Sequence, residues 1–346
     1  MRAWILRQPA QVAGPASQPL VLAELAAPSP GPGEVRLRVL ACGICHTDLH
    51  TVEGELPLPR LPIVPGHQVI GRVDALGPGV EGVRLGDRLG AFWLHQACGV
   101  CPACRRGEEN LCPDAQFTGL DHDGGYAEAM VVPAAYTVPI PDRFDSVSAA
   151  PLLCAGVIGY RALRLADFAP GRRLALFGFG ASAHIVLQVA VRQQAQVYVF
   201  SRGESHRRLA LALGAAWAGR PEDAAPEPVD SAIIFTPAGE SVLQALASVR
   251  PGGTVAINAV HMSDIPSLPY ALIYGERTLR SVANLTAEDA REFMALAAVL
   301  NVRTEVIRYP FTAANQALQD LKAGHIDGAA VLEVAQDGWP GGGGDR

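Results

Sequence analysis

The stretch Arg173-Leu-Ala-Leu-Phe-Gly178-Phe-Gly180-Ala-Ser-Ala183 reads as a strand, a glycine turn and the start of a helix. Its two glycines permit a tight turn and a close approach of the backbone to a pyrophosphate, which then lies at a helix N-terminus. The glycine motif alone is weak, but the strand–turn–helix setting is the one that dinucleotide binding requires. We therefore predict that Gly178, Gly180 and Ala183 contact a dinucleotide cofactor.

The segments around this motif alternate between apolar strands and helical patterns. Such alternation predicts a doubly wound parallel sheet of the Rossmann type, with crossover helices on both faces. The predicted strands are Arg173–Phe177, Gln196–Phe200, Asp230–Phe235, Gly253–Asn258 and Thr278–Val282, and the helices are Ala181–Gln193, Glu204–Leu213 and Ser241–Val249.

The end of the second predicted strand indicates which nicotinamide cofactor is bound. Enzymes that use NAD place a carboxylate there, where it binds the ribose hydroxyls. This chain has Ser201 followed by Arg202. A hydroxyl and a guanidinium favour a 2′-phosphate, which a carboxylate would repel. We predict NADP(H) rather than NAD(H); alternatively, Arg202 stacks on the adenine or faces solvent.

The first third of the chain has a different character. It is rich in Pro and Gly and predicts short strands joined by turns, at Gly33–Leu40, Gln68–Leu76, Arg88–Leu94 and Ala127–Val132. The C-terminal part predicts two helices and a strand, at Glu288–Leu300, Ala313–Ala323 and Ala329–Val334. The fold class is therefore α/β plus mainly-β, and 346 residues are enough for about two domains.

The composition excludes several classes of function. A net charge of −6 and a pI of about 5.9 give no electrostatic basis for binding nucleic acid or an anionic membrane. Gly, Pro or a charged residue interrupts every apolar run before the ~18 residues that a membrane span needs. The N-terminus lacks the form of a signal peptide, so we expect a cytoplasmic protein with a small-molecule substrate.

Four of the seven cysteines form a compact loop with the spacing C-x2-C-x2-C-x7-C. Four thiolates so close in sequence can enclose one tetrahedral Zn²⁺ and leave no position open for chemistry. The alternative is an iron–sulfur cluster, but the bacterial pattern has three residues before the fourth cysteine, where this chain has seven. A structural zinc is predicted at Cys98, Cys101, Cys104 and Cys112.

The other candidate ligands lie in three short motifs: Cys45-His46-Thr47-Asp48-Leu-His50, Gly66-His67-Gln68 and Leu153-Cys154-Ala155. In this order around a four-cysteine loop, they resemble the zinc-containing alcohol dehydrogenases of the medium-chain dehydrogenase/reductase superfamily. The resemblance extends to about Val334. It implies a GroES-like catalytic domain with both zinc sites at 1–153, the dinucleotide-binding domain at 154–287, a return to the catalytic domain at 288–336, and a flexible tail at 337–346.

The resemblance also implies the catalytic zinc site. Cys45, His67 and Cys154 correspond to the ligands of a zinc ion with an open fourth position. Two thiolates and a neutral imidazole leave the ion formally uncharged, and it can still polarise an alcohol or carbonyl oxygen. Asp48 corresponds to the carboxylate that fixes the tautomer of the ligand histidine. Cys42 is left over and is interpreted as a small buried apolar residue.

Three neighbours of Cys45 match further positions of the family. Thr47 and His50 correspond to the relay that takes the proton of the alcohol toward solvent. His46 corresponds to a residue that reaches the cofactor pyrophosphate. Without the family context, His46 and His50 read equally well as exposed histidines in a turn.

Two positions depart from the family pattern. Gln68 stands where a glutamate usually lies behind the zinc and assists ligand exchange, so the site is expected to be less negative. Gly328-Ala329 stands where Gly-Arg usually brings an arginine to the pyrophosphate. These departures leave open a non-catalytic alternative, a cofactor-binding sensor on a dehydrogenase scaffold.

By resemblance, Leu56 and Trp93 line the substrate pocket; otherwise both simply belong to the core. Leu56 replaces a bulky aromatic residue and is expected to widen the pocket for medium-sized, aromatic or allylic alcohols and aldehydes. A polyol dehydrogenase usually has glutamate in place of Cys154, and a quinone reductase lacks the cysteine ligands. The resemblance further implies a homodimer or homotetramer, with two zinc ions and a nicotinamide cofactor in each chain.

Overall fold

The computed structural model describes residues 1–14, 16–326 and 328–337. The chain forms two compact units: the first comprises Met1–Cys154, Leu285–Ala298 and the residues from Arg303 onward, and the second comprises Ala155–Asn284 and Val299–Val302. These boundaries lie one residue after the predicted 153/154 boundary and three residues before the predicted 287/288 boundary. The predicted tail lies outside the described residues apart from Asp337, which pairs with Arg72 at 2.7 Å.

The strands, in chain order, are β1 (Arg2–Leu6), β2 (Leu20–Glu24), β3 (Glu34–Ile44), β4 (Gln68–Leu76), β5 (Arg88–Ala91), β6 (Leu94–Gln96), β7 (Gln116–Phe117), β8 (Ala129–Pro133), β9 (Thr137–Pro139), β10 (Arg173–Phe177), β11 (Gln196–Phe200), β12 (Trp217–Gly219), β13 (Val229–Ile234), β14 (Val249–Ile257), β15 (Thr278–Ser281), β16 (Val306–Pro310) and β17 (Ala329–Glu333). The α-helices are α1 (His46–Glu53), α2 (Pro102–Arg105), α3 (Ser146–Ala149), α4 (Ala155–Leu165), α5 (Ala181–Arg192), α6 (Glu204–Ala212), α7 (Glu240–Ser248), α8 (Ala287–Val299) and α9 (Ala314–Lys322). Short 3-10 helices lie at Glu109–Leu111, Ala134–Tyr136, Ala150–Leu153, Tyr270–Leu272 and Phe311–Ala313.

The second unit is built on a six-stranded sheet with the order β12-β11-β10-β13-β14-β15, and every neighbouring pair is parallel. This is the 3-2-1-4-5-6 order of the Rossmann fold, whose order reverses between β10 and β13. Val242, Ala245 and Leu246 of α7 pack on one face of the sheet. Helices α4 and α5 contact β14 and β11, respectively. The predicted doubly wound parallel sheet is confirmed.

The first unit is mainly β. Its largest sheet has the order β16-β17-β3-β4-β5-β9, and β8 also pairs with β3. Strand β3 is the centre of this sheet because its eleven residues pair with β4, β8 and β17, all antiparallel. The alternating burial of Val35, Leu37 and Val39 on β3 matches the period-two pattern of a half-buried strand. The prediction of a mainly-β domain beside an α/β domain is confirmed.

Several elements differ from the predictions. The predicted strand Arg88–Leu94 ends at Ala91, and a separate strand, β6, begins at Leu94. The sequence patterns did not predict α1, α4 or the three-residue strand β12. In the described part of the chain, no single helix is long and apolar enough to span a membrane, although one bent pair of consecutive helices meets those requirements by length and composition.

Candidate active site and metal centres

The pairing of β3 with β4 brings two of the predicted ligands together. Gly43 pairs with Gln68 in the antiparallel register, so Cys45 and His67 lie just beyond the paired ends of neighbouring strands. Gly66 has a φ of +99°, and a Cβ there would lie 2.4 Å from the ring of Tyr126. Only glycine fits this turn without strain, and the turn sets the direction in which His67 leaves the strand.

The third predicted ligand comes from a different part of the first unit. Cys154 follows the 3-10 helix Ala150–Leu153, which packs against the sheet that carries β3 and β4. The ligand atoms of Cys45, His67 and Cys154 all lie within 4.8 Å of one another. Sγ of Cys45 is 3.5 Å from Nε2 of His67. The three residues thus form a compact set of two sulfurs and one imidazole nitrogen.

Asp48 contacts two of these three residues, His67 and Cys45. Its Oδ1 lies 3.3 Å from Nδ1 of His67, and the two side chains are 2% and 1% exposed. Its Oδ2 accepts a hydrogen bond of 2.8 Å from the backbone N–H of Cys45, the residue that caps α1. One buried carboxylate therefore fixes both the start of the helix and the orientation of the imidazole. With Nδ1 directed at Asp48, Nε2 of His67 faces the sulfurs.

The electrostatics of this cluster favour a bound cation. Burial lowers the pKa of His67, but the negative charges of Asp48 and Cys45 outweigh it and raise the pKa to about 10. The hydrogen bond with Cys154 and burial raise the pKa of the Cys45 thiol. The buried site therefore stabilises positive charge next to two thiols. A divalent cation with thiolate and imidazole ligands meets this demand, and the donor set fits zinc.

The four-cysteine loop forms a second cluster in the first unit. The sulfurs of Cys98, Cys101, Cys104 and Cys112 all lie within 4.8 Å of one another, with Cys98 and Cys104 4.0 Å apart. Zn–S bonds of about 2.3 Å in a tetrahedron give S–S edges of about 3.8 Å, so the cluster is close to that shape. No open position remains for a substrate, so this arrangement fits a structural ion.

Backbone N–H groups in this loop point at sulfur, as expected for thiolate ligands. The N–H of Cys101 donates to Sγ of Cys98 at 3.3 Å, and that of Cys104 donates to Sγ of Cys101 at 3.4 Å. Hydrogen bonds from the backbone of Val100 and Cys101 lower the pKa of Cys98 to about 7. Burial and the neighbouring thiols raise the pKa of Cys104 to about 12. A cation would allow all four thiols to ionise together.

The predicted relay residues lie on α1. Thr47 and His50 are half-buried, and His46 is exposed at the first position of the helix. Nδ1 of His50 lies 2.5 Å from Oε2 of Glu55, a carboxylate that the sequence reasoning did not single out. Burial, followed by the charges of His50 and Lys322, lowers the pKa of His46. The relay and pyrophosphate roles remain predictions.

Two buried polar groups close to the ligands lack a hydrogen-bond partner. They are the amide nitrogen of Gln68 and the hydroxyl of Tyr126. Burial and then the charge of Asp48 raise the pKa of Tyr126. Cys42 is fully buried. Tyr126 was missed because the sequence gives no sign that its loop passes behind His67.

An aromatic stack lies against the ligand histidine. Trp93 meets the ring of His67 edge-on, with centroids 5.1 Å apart, and stacks on Phe117 at 5.0 Å with an interplanar angle of 15°. Phe117 was not predicted as a pocket residue, since its pairing partner lies across the four-cysteine loop. Leu56 is half-buried in the loop after α1. Its place in the pocket remains a prediction.

The second unit carries the predicted dinucleotide motif in the expected setting. Gly178 follows β10 with a φ of +95°, and a Cβ there would lie 2.8 Å from Thr236. Gly180 caps α5, and open space surrounds the position of its missing side chain. Ala183 is fully buried on α5, where a larger residue would disturb the helix packing. This geometry leaves the N-terminus of a twelve-residue helix open to an anion.

Ser201 and Arg202 follow β11 as predicted. Ser201 is buried, and its N–H donates to the carbonyl of Gly219 on the neighbouring strand β12. Arg202 is exposed. The guanidinium of Arg207 donates to the backbone carbonyls of Ser201 and Arg202, each at 2.7 Å, and so holds the loop between β11 and α6 in place. Arg207 is thus a loop-ordering residue, and Arg202 is the exposed cation.

The position of Ala329 is also clear. It begins β17, pairs with Val306 and follows Gly328, whose φ is +102°. A Cβ at Gly328 would lie 2.3 Å from the carbonyl oxygen of Glu305, so this turn requires glycine. The glycine of the expected Gly-Arg pair is therefore present, and alanine stands in place of the arginine.

Comparison with known proteins identifies the fold of both units. Residues 31–142 match the model for the alcohol dehydrogenase GroES-like domain, and residues 183–299 match the model for the zinc-binding dehydrogenase. The chain is 47% identical over 341 residues to a probable alcohol dehydrogenase AdhA of Mycobacterium tuberculosis (strain CDC 1551 / Oshkosh), covering 96% of this chain and 97% of that protein. The predicted GroES-like fold of the catalytic domain is confirmed.

More distant relatives agree. The chain is 35% identical over 327 residues to an alcohol dehydrogenase of Geobacillus stearothermophilus, covering 92% of this chain and 96% of that protein. A cinnamyl alcohol dehydrogenase structure from Sorghum bicolor superimposes with a TM-score of 0.85 at 29% identity, covering 96% and 97% of the two chains. With matches of this extent, the chain belongs to the zinc-type medium-chain dehydrogenase/reductase family and is an alcohol oxidoreductase.

Proposed function

We propose that the protein interconverts primary alcohols and aldehydes by hydride transfer with NADP(H), at a catalytic zinc held by Cys45, His67 and Cys154. The observation that carries this proposal is the convergence of these three ligand atoms within 4.8 Å of one another, with Asp48 behind the imidazole. A second zinc in the four-cysteine loop has a structural role. The Cys154 thiol, in place of a carboxylate, favours this function over polyol oxidation.

Zinc bound at this set would supply a Lewis acid that polarises the substrate oxygen. Asp48 holds the proton of His67 on Nδ1, so that the lone pair on Nε2 is available to bind the metal. Thr47 is half-buried on the first turn of α1, and its hydroxyl accepts the proton of the alcohol while it gives up its own proton toward His50. Oε2 of Glu55, 2.5 Å from Nδ1 of His50, orients the imidazole that releases the proton to solvent.

NADP(H) is proposed because the strand end carries Ser201 and Arg202 without a carboxylate. The exposed guanidinium of Arg202 is free of the backbone bonds that occupy Arg207, so it can approach a 2′-phosphate. The open N-terminus of α5 after Gly180 would receive the pyrophosphate. With Ala329 in place of arginine, His46 is left as the predicted pyrophosphate contact of the first unit, and its lowered pKa makes it a neutral hydrogen-bond donor.

Medium-sized or aromatic substrates are proposed from the pocket wall. Trp93 and Phe117 offer a stacked aromatic surface beside His67, and such a surface binds planar apolar groups. Leu56 is expected to leave more room than an aromatic residue would. Aryl and allylic aldehydes should therefore be better substrates than acetaldehyde.

The edge of the six-stranded sheet in the second unit supports a homo-oligomer. Strand β15 is the last strand of that sheet, and Tyr270 and Tyr274, shortly before it, are each 72% exposed. Val260 is 76% exposed in the same unit. An exposed edge strand with large apolar neighbours suits association with a second copy of the chain. Light scattering should give the mass of a dimer or tetramer, and a monomer at micromolar concentration would contradict this.

A panel of aldehydes assayed with NADPH and NADH tests the function. We expect turnover of aryl and allylic aldehydes with a higher kcat/KM for NADPH than for NADH. A preference for NADH would contradict the cofactor assignment and leave the alcohol oxidoreductase assignment intact. The absence of turnover with every aldehyde and both cofactors, in protein that contains zinc, would contradict the proposed reaction.

A further inference from the structure

Two histidines that the proposed chemistry does not use stack face to face in the first unit. The ring centroids of His95 and His122 are 3.9 Å apart with an interplanar angle of 8°. His95 is only 2% exposed, whereas His122 is partly exposed. In the described part of the chain, the clusters that bring three metal-ligand atoms within 4.8 Å do not include this pair.

The pair belongs to the hairpin that carries the aromatic wall. Strands β6 and β7 pair antiparallel, with Leu94 opposite Phe117, and the register shifts at the position of His95. The N–H of Thr118 donates to the carbonyl of Trp93 at 2.9 Å. Trp93 and Phe117 therefore stand at the open end of this hairpin, and their stacking depends on how the two short strands pair.

A set of polar contacts ties the two strands and the following loop together. Nδ1 of His95 lies 3.4 Å from Oγ1 of Thr118, and both residues are buried. Nε2 of His122 lies 2.5 Å from Oε1 of Gln116, which also accepts a hydrogen bond of 2.8 Å from Gln96. His122 thus contacts β6 through the His95 ring and β7 through Gln116. Because only five residues lie in the two strands, these side-chain contacts add to the few backbone hydrogen bonds and to the hydrogen bond from the N–H of Phe117 to Asp121 that fix the hairpin.

A cavity and several charged residues surround the His95–His122 pair. A cavity of about 240 Å³ is lined by both histidines, together with Glu34, Arg60 and Asp123. Asp123 pairs with Arg60 at 2.5 Å, and the carboxylates of Asp121 and Glu34 also act on His122. Burial and then the neighbouring His122 lower the pKa of His95 to about 3, so its ring stays neutral at physiological pH. Without the His122 ring, one face of His95 would border the cavity.

We propose that His95 and His122 are positioning residues that set substrate preference from outside the pocket, by fixing the hairpin that holds the Trp93–Phe117 stack. Neither ring touches the substrate. The stack gives a rigid aromatic wall only while the hairpin is held, and a planar aldehyde group depends on that wall more than a small one does. This inference rests on the proposed aldehyde reduction.

The test uses His122→Ala, which removes the ring, and His122→Phe, which keeps a ring to stack on His95. For an aryl aldehyde such as cinnamaldehyde, KM should rise about tenfold in His122→Ala, while kcat/KM for acetaldehyde should stay within about twofold of wild type. His122→Phe should restore most of the aryl preference. His325→Ala, at an exposed histidine of the same unit, is the matched control and should change neither value.

Equal losses of kcat/KM for both aldehydes, or an unchanged ratio of the two kcat/KM values in His122→Ala, would overturn the proposal. Near-ultraviolet circular dichroism tests it without turnover, so that a failure of the proposed reaction is distinguishable. The signal that Trp93→Phe removes identifies the stack. That signal should fall in His122→Ala and persist in His122→Phe, and an unchanged signal in His122→Ala would contradict the positioning role.

Discussion

Oδ1 of Asp48 lies 3.3 Å from Nδ1 of His67, and the contact is buried on both sides. The same carboxylate accepts the N–H of Cys45 at 2.8 Å. The start of α1 and the orientation of the predicted zinc-binding imidazole therefore depend on one side chain. A change at Asp48 should act on the metal site without removing a ligand.

Asp48→Asn should weaken zinc binding at the Cys45 site by about 10- to 100-fold, because the amide cannot stabilise the ligand tautomer as a carboxylate does. Zinc loss to a chelator, followed with a colorimetric indicator, measures this effect. The zinc of the Cys45 site should be lost early, and the zinc of the four-cysteine loop should be retained. Asp114→Asn, at an exposed aspartate of the same unit, is the control. Retention of both ions at wild-type rates would contradict the role of Asp48.

Exchange of Ser201 for aspartate should reverse the cofactor preference. A carboxylate at the end of β11 would repel the 2′-phosphate of NADP(H) and bind the ribose hydroxyls of NAD(H). Loss of one charge-assisted contact is worth about 1.5–3 kcal/mol, so the NADPH/NADH ratio of kcat/KM should fall by about 10- to 100-fold. Arg202→Gln should lower the ratio as well, and Arg208→Gln should leave it unchanged. An unaltered ratio in Ser201→Asp would reject this strand end as the site of discrimination.

Lys322, the only lysine in the sequence, holds a buried carboxylate. Its Nζ lies 2.7 Å from Oε2 of Glu53, whose side chain is 2% exposed while that of Lys322 is 45% exposed. Lys322→Met leaves Glu53 buried without a cation and should cost about 1–3 kcal/mol, measured as a lower Tm.

The double variant Glu53→Gln/Lys322→Met should recover much of that loss. Arg106→Met, at an exposed ion pair with Glu108, should cost about 0–1 kcal/mol. If the double variant is as unstable as Lys322→Met, the loss does not come from an unpaired carboxylate.

Asp230 should contribute stability that disappears in acid. Burial raises its pKa, but the hydrogen bonds from Arg250 at 2.8 Å and from the backbone N–H of Arg173 at 3.0 Å bring it below the usual 3.8. A lowered pKa in the folded state means that the contribution is full above the unfolded value and is lost as the pH falls through the folded value. Asp230→Asn should therefore lower Tm at pH 7, and the difference from wild type should shrink below about pH 4. A difference that is constant with pH would argue against an ionic contribution.

The sequence predicts the second unit closely because buried parallel strands are short apolar runs. The predicted bounds Arg173–Phe177 and Gln196–Phe200 are those of β10 and β11. By contrast, α1 has no apolar periodicity that would reveal a helix, and its N-cap is a cysteine. Strand β12 has only three residues, too few for a pattern. These elements form because of tertiary contacts that the local sequence does not show.

The candidate site also contains residues that the sequence predicts and residues that it does not. The ligand motifs were predictable because each lies in a short, characteristic run. Phe117, Tyr126 and His122 were not, because their positions depend on strand pairing and turns around the four-cysteine loop. Glu55 lies five residues after His50, a spacing that α1 and its terminal turn bring together. Residues that act from a distant segment need the fold before they can be assigned.

We propose that Cys45, His67 and Cys154 hold the zinc at which the alcohol oxidoreductase works. Metal analysis of purified wild-type protein and of Cys154→Ser, combined with aldehyde reduction by NADPH, tests it most directly. The wild type should contain two zinc ions per chain, and the variant should contain one zinc and show no turnover. A variant that keeps both ions, or that still reduces aldehydes at the wild-type rate with one, would contradict it.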